Sequence, residues 1–192
     1  YHYPLLVSNG YETVQSICED QRYVWLGGDH YWLHRFDPAT EQFESFGPEW
    51  LRSSTNAACS ITDILQDRFD PNRLWMTLVY RNPAYPIPFD SRLVSFDKQS
   101  KQFVEFPCYG KALYQDSLGV VWMGSTGINR FEPESGTCIH VDYQFEMNGR
   151  MVNPLVRDIE YVRDGFLLSS AYTIGRLNSE GAPGKAIHVG ED

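Results

Sequence analysis

Hydrophobic positions recur along this chain in the same order four times. In the clearest copy, Ile61 and Ile64 stand three residues apart, and Asp67 follows three residues later. The repeated Asp residues are Asp20, Asp67, Asp116 and Asp164, at intervals of 47, 49 and 48 residues. Self-similarity at such a period indicates an array of similar structural units, which takes precedence over any local pattern.

Three further apolar runs follow each Asp. In three copies the first of them contains a Trp, placed 5, 8 and 6 residues after the Asp, so the intervening segment varies as a hairpin turn does. The later runs alternate apolar and polar residues, with Phe43 and Phe46 lying 7 and 10 residues after Phe36. Alternation of this kind predicts strands, and no window has the spacing of an amphipathic helix.

Four short strands every 45–50 residues predict an all-β fold made of four four-stranded antiparallel β-propeller blades. The blades are expected at about 13–46, 60–106, 110–142 and 155–189, within a single propeller segment. Residues 1–6 are expected to form the outer strand of a preceding blade, which makes the chain a fragment of a larger propeller. The repeated Trp is predicted to pack between blades, and the repeated Asp to hold the hairpin turn.

Composition narrows the partners. The net charge is −9 with no run of Lys and Arg, which argues against nucleic acid. No stretch approaches 18 apolar residues, so no membrane contact by this segment is expected. The four cysteines form no C-x-x-C pair, which disfavours a zinc site. Cys18 and Cys138 occupy strand positions and are expected to be buried free thiols, while the spacing selects no disulfide pairing.

The repeat unit resembles the two-component regulator propeller repeat. The third copy matches best, at Leu113, Asp116, Gly119, Trp122, Gly124, Gly127, Ile128, Arg130 and Phe131. The resemblance implies the periplasmic, ligand-sensing or partner-binding region of a membrane-anchored bacterial signalling protein, such as a hybrid histidine kinase or a sensory diguanylate cyclase. It implies neither a cofactor nor an enzymatic activity for this segment.

A second resemblance leaves an enzyme as the alternative. The segment from Ile174 to Leu177 is similar to a phrase that recurs in streptogramin-lyase-like propellers, which implies a metal and a catalytic His. The five His residues follow no blade register and have no repeated carboxylate partner. We therefore expect no catalytic residue and no metal site. A scaffold that binds only proteins is the third alternative.

Binding residues are expected in the loops at one rim, where second strands lead to third strands and where the chain arrives at each first strand. The second copy has the outlier, because its Trp75 and Phe96 are 21 residues apart. The candidate residues are aromatics, arginines and one His: His30, Tyr31, Trp50, Arg52, Tyr80, Arg81, Tyr85, Phe89, Phe145 and Arg150. We expect them to form one surface for a glycan or other small molecule. Self-association through open blade edges, or docking to blades of the parent protein, is also expected.

Overall fold

The structure is a computed structural model that describes residues 13–29, 33–48, 59–80, 90–147, 150–153, 155–163, 165–170, 173–178 and 187–188. In that part of the chain every regular element is a β-strand. The first sheet contains β1 (Val14–Glu19), β2 (Val24–Gly28), β3 (Leu33–Asp37) and β4 (Gln42–Phe46), and the second contains β5 (Cys59–Gln66), β6 (Arg73–Tyr80), β7 (Asp90–Asp97) and β8 (Gln102–Phe106).

Two further four-stranded sheets follow. The third contains β9 (Ala112–Gln115), β10 (Val121–Ser125), β11 (Gly127–Glu132) and β12 (Thr137–Val141). The hairpin of β13 (Phe145–Met147) and β14 (Arg150–Val152) comes next, and the fourth sheet contains β15 (Asp158–Val162), β16 (Gly165–Ser169), β17 (Thr173–Asn178) and β18 (Ile187–His188). The predicted fold class of four four-stranded antiparallel blades is confirmed, whereas the β13–β14 hairpin was not predicted.

Each sheet follows the chain order, which fixes where its turns lie. The turn between its first and second strands and the turn between its third and fourth strands share one end of the sheet. The latter turn is built alike in three blades, because Glu41, Lys101 and Gly136 each donate their N–H to the carbonyl four residues earlier. All three have a positive φ, of 56°, 60° and 68°. The turn geometry is therefore repeated although only the third copy uses Gly.

The chain divides into two compact units, residues 1–105 and 106–192. In the first unit the first and second sheets bury a shared core. Trp25 lies with its ring centroid 5.8 Å from that of Phe96, and Phe46 lies 5.1 Å from the same ring. Gly27 contacts Ile61 so closely that a Cβ at Gly27 would lie 2.5 Å from the Ile61 Cγ2. The prediction that this Trp packs between blades is confirmed.

The second unit repeats this packing between the third and fourth sheets. Trp122 packs against Phe166 with ring centroids 4.7 Å apart. A Cβ at Gly124 would lie 2.7 Å from the Val156 Cγ1. The same three features therefore recur at both junctions: a Trp, a Gly two residues later, and a β-branched residue of the next blade that fills the space above the Gly.

Cys108 and Cys138 form a disulfide bond with a Cα–Cα distance of 5.5 Å. The expectation that Cys138 is a buried free thiol is therefore wrong. Cys138 lies on the outer strand β12 and is only half-buried, so the segment that leads into β9 can reach it. Cys18 is free and half-buried, and the side chain of Cys59 lies outside the described residues.

Candidate functional site

The repeated Asp carboxylates join the turn after each first strand to the Trp of the second strand. In the first three blades the Trp Nε1 donates to the Asp Oδ2 over 2.7, 2.7 and 2.8 Å. The other oxygen accepts two turn N–H groups, which for Asp20 are those of Arg22 and Tyr23 at 2.9 and 2.8 Å. With both oxygens engaged in this way, the predicted structural role of the repeated Asp is confirmed.

Lys98 adds a contact at the junction of the first and second sheets. Its Nζ lies 2.6 Å from Asp20 Oδ2, donates to Gln66 Oε1, and lies 5.3 Å from the Trp25 ring centroid. The turn after β3 in the first blade and after β11 in the third has Pro38 and Pro133 at the corresponding position. The Lys therefore replaces a turn Pro, and it ties the two sheets together by charge.

This environment controls the ionisation of Asp20. Partial burial by itself would raise the pKa of Asp20. The hydrogen bonds from Lys98, Trp25 and two turn N–H groups outweigh that effect and lower the pKa from 3.8 to about 2. The carboxylate is therefore ionised at neutral pH and serves as a fixed acceptor.

A cleft of about 730 Å³ opens beside this contact. It is lined by the three turns at one end of the two sheets, with side chains from Glu19, Asp20, Gln21, Arg22, Tyr23, Trp25, Arg35, Gln66, Asp67, Arg68, Pro71, Asn72, Lys98 and Gln99. That volume lies within the range of roughly 300–1,000 Å³ that small-molecule pockets occupy. The first unit thus offers a cleft of ligand size at the junction of two blades.

The charges of the cleft are largely neutralised within the protein. Arg35 pairs with Glu44, and Arg22 lies 3.5 Å from Asp37. Both guanidinium groups flank the Tyr23 ring, at 4.3 and 4.8 Å from its centroid. Such an arrangement holds the aromatic ring in place and has little excess charge for a strongly ionic ligand.

Polar amides supply the remaining chemistry of the cleft. Gln21, Asn72 and Gln99 line it with side chains that each carry donors and an acceptor. Together with the Tyr23 hydroxyl they can hydrogen-bond to hydroxyl and carbonyl groups of a small polar solute. The cleft can therefore bind such a solute by hydrogen bonds, with the Tyr23 ring as an apolar wall.

Most of the sequence-predicted binding residues are outside the described part of the chain: His30, Tyr31, Trp50, Arg52, Arg81, Tyr85 and Phe89. Of the others, Tyr80 ends β6, where it pairs with Asp90. Phe145 and Arg150 lie in the β13–β14 hairpin, where Arg150 is exposed and pairs with Met147. The expected common surface therefore stays a prediction.

The observed cleft lies at the opposite end of the sheets from Tyr80, because its turns precede β6 and follow β7. Sequence reasoning missed it by placing all binding residues at the other rim. One signal was available in the sequence, namely Lys98 at a position where Pro38 and Pro133 stand in two other blades.

Two negative findings apply to the described residues. No group of three or more His, Cys, Asp or Glu side chains there is arranged to hold a metal ion. The same part of the chain contains no helix that could cross a membrane.

Comparison with known proteins places the fold. No protein-family model and no curated protein sequence matches the chain. Two solved structures of the extracellular domain of BT4673 from B. thetaiotaomicron, described as a hybrid two-component system in one and a one-component system in the other, superpose with TM-scores of 0.64 and 0.63. Sequence identity is 15% and 16%, over 88% of this chain.

The chain spans only 21% of the length of the BT4673 domain. The computationally designed Ika4 protein superposes with a TM-score of 0.55 and 11% identity, over 99% of both chains. At these identities the likeness concerns the fold. The blades predicted from the repeat therefore have the fold of the extracellular domain of a bacterial signalling protein.

Proposed function

We propose that this chain is a propeller segment of an extracytoplasmic sensor in a bacterial signal-transduction protein. The observation that carries the proposal is the superposition of 88% of the chain on the extracellular domain of BT4673. The repeat of Asp, Trp and Gly that resembles the two-component regulator propeller family supports it independently. In this proposal the segment recognises a signal and performs no catalysis.

The disulfide bond supports a periplasmic location. Disulfide bonds form and persist in oxidising compartments such as the bacterial periplasm, and they are rare in the cytosol. Cys108 and Cys138 are 30 residues apart in sequence and are bonded to each other. A segment that works in the cytosol would gain nothing lasting from this pair.

The cleft at the junction of the first and second sheets is the proposed ligand site. Its volume of about 730 Å³ and its amide and aromatic lining suit a glycan fragment or another small hydroxylated molecule. The internal pairing of Arg22 and Arg35 argues against a strongly acidic ligand. A ligand seated there would contact turns of two blades at once, so binding would be felt at their junction.

The test is a thermal-shift and calorimetric screen of the purified chain against neutral and acidic mono- and disaccharides. We expect a neutral saccharide to raise the unfolding temperature in a saturable way. Asn72→Ala should weaken that binding by about tenfold, which corresponds to one lost hydrogen bond of about 1.4 kcal/mol. Gln102→Ala, on an exposed strand position away from the cleft lining, should leave affinity unchanged.

Two results of this screen would count against the proposed site. One is that no saccharide stabilises the protein. The other is that Asn72→Ala and Gln102→Ala bind equally well. Either result would leave the alternative of a scaffold that recognises only protein partners, and hydrolysis or elimination of a saccharide during the titration would favour the lyase-like alternative.

A further inference from the structure

The first and second sheets have the same design but differ in the burial of one face. In the second sheet, Ile64, Leu74, Met76 and Phe96 share a face through the pairs Ile64–Met76 and Leu74–Phe96, and none is more than 5% exposed. These residues lie in the core that the second sheet shares with the first sheet. This face of a blade is thus the one that the preceding blade covers.

The corresponding residues of the first sheet are apolar but are not covered. Ile17 pairs with Leu26 and Val24 pairs with Phe36, in the same register as their counterparts in the second sheet. Ile17 is 67% exposed, against 5% for Ile64, and the other three side chains are only half-buried. The difference lies in their surroundings, since the residue types are alike.

The two junctions that the structure describes show what covers such a face. In each, the preceding blade presents a Trp and a Gly two residues later, and a β-branched residue of the next blade fills the space above the Gly. The pairs are Gly27 with Ile61 and Gly124 with Val156. A side chain larger than hydrogen at the Gly would displace that residue, so the fit is specific to a small residue at this position.

Val14 occupies this position in the first sheet, six residues before Asp20 as Ile61 is six residues before Asp67. It is 39% exposed, whereas Ile61 and Val156 are each 1% exposed. The first sheet therefore carries the residue that fills such a space, without the space itself being supplied by the described part of the chain.

We propose that the open face of the first sheet, formed by Val14, Ile17, Val24, Leu26 and Phe36, docks a further blade of the same repeat. The docking blade has a Trp and, two residues later, a Gly that admits Val14. Five side chains are far fewer than the roughly 20–30 residues a side of a stable intermolecular interface. The fit is therefore to a blade joined covalently to this chain, whose effective concentration is high.

The length of the BT4673 domain agrees with this occupant, since the matched region is only 21% of it and the same fold there continues well beyond four blades' length. The third blade of this chain is the natural probe, because its Gly124 already accepts a Val. The proposal is independent of what the cleft binds.

The test extends the full chain by a copy of its own third blade, residues 106–142, joined through a flexible linker ahead of residue 1. Hydrogen–deuterium exchange of β1 and β2 is compared in the extended and the original chain. We expect exchange on the order of tenfold slower in the extended chain, because the open face becomes covered. Exchange in β5, which is already covered, should be unchanged.

Two matched variants make the result specific. Replacing the copied Gly124→Leu in the added blade should abolish the protection, and so should Ile17→Asp in the original blade. Equal protection with the blocked and the unblocked copy, or none with either, would overturn the proposal. Protection of β1 in the unextended chain that rises with protein concentration would assign the face to a second copy, which would also overturn it.

A second measurement uses the original chain and does not depend on the added blade folding. In a Cys18→Ser background, Ile17→Cys should react with a thiol reagent far faster than Ile64→Cys. If Ile17→Cys is as protected as Ile64→Cys, the face is already covered and the proposal fails.

Discussion

At the scale of single residues, the repeated Asp does one job in three blades and an additional job in one. Asp20, Asp67 and Asp116 each accept the Trp Nε1 and two turn N–H groups. Only Asp20 is described with a Lys partner, at 2.6 Å. Because turn and indole are bound by one carboxylate, the short side chain and the charge are both required.

Replacing Asp20 should cost more than replacing Asp116. Asp20→Asn removes the acceptor for Trp25 and leaves Lys98, whose side chain is only 12% exposed, without its anionic partner. We expect a loss of about 2 kcal/mol in the free energy of unfolding, against about 1 kcal/mol for Asp116→Asn. Urea titration of both variants measures the difference, and equal losses would mean that the Lys contributes nothing to stability.

The same carboxylate should make stability depend on acidic pH. The pKa of Asp20 is about 2 in the folded protein, below the usual value of 3.8. A lowered pKa stabilises the fold above the unfolded-state value, and this contribution disappears as pH falls from about 4 towards 2. The stability difference between the wild type and Asp20→Asn should therefore shrink over that interval. A difference that stays constant down to pH 2 would contradict the assignment.

At the scale of elements, the blades are held together by a contact between a Gly and a branched side chain. Gly27 in β2 and Ile61 in β5 come within a distance that excludes a Cβ. The hairpin contacts inside a blade are local and repeat with the sequence. The contacts between blades require a specific small residue to meet a specific large one, so they select the order in which blades pack.

A double-mutant cycle tests this contact. Gly27→Ala should destabilise the protein by about 1–3 kcal/mol, because the added methyl group forces Ile61 to move. In the presence of Ile61→Ala the same change should cost much less, since the space is then available. Independent, additive losses in urea titrations would show that Gly27 is required for another reason.

The disulfide bond is the other contact that acts between elements. It links the segment before β9 to β12 and closes a loop with a sequence separation of 30. Chain-entropy arguments give a contribution of about 3 kcal/mol for such a loop. We expect Cys108→Ser and Cys138→Ser to lower stability by similar amounts and Cys18→Ser to have little effect. A reductant that leaves the wild-type midpoint unchanged would contradict the bond.

At the scale of the whole molecule, the strands and their grouping into blades could be predicted because both are written in a local, repeated pattern. Phe36, Phe43 and Phe46 share a spacing that only alternating strands explain. The pairing of Cys108 with Cys138 could not be predicted, because it depends on which segments come together after the sheets form.

The candidate site was harder to predict for the same reason. The cleft contains Asp20, Gln66 and Lys98, which are far apart in sequence and belong to three different turns. The loops that were expected to bind are marked by composition alone, and composition does not specify which loops face each other. The departure at Lys98 was informative only once the repeat had been aligned turn by turn.

The central claim is that this chain is the extracytoplasmic part of a membrane-anchored sensor, and protease accessibility in intact cells tests it most directly. Protease added outside spheroplasts that contain the full-length protein should cleave this segment, and the Cys108–Cys138 bond should be found oxidised in the same cells. Cleavage only after lysis, with both cysteines reduced, would place the segment in the cytosol and contradict the account.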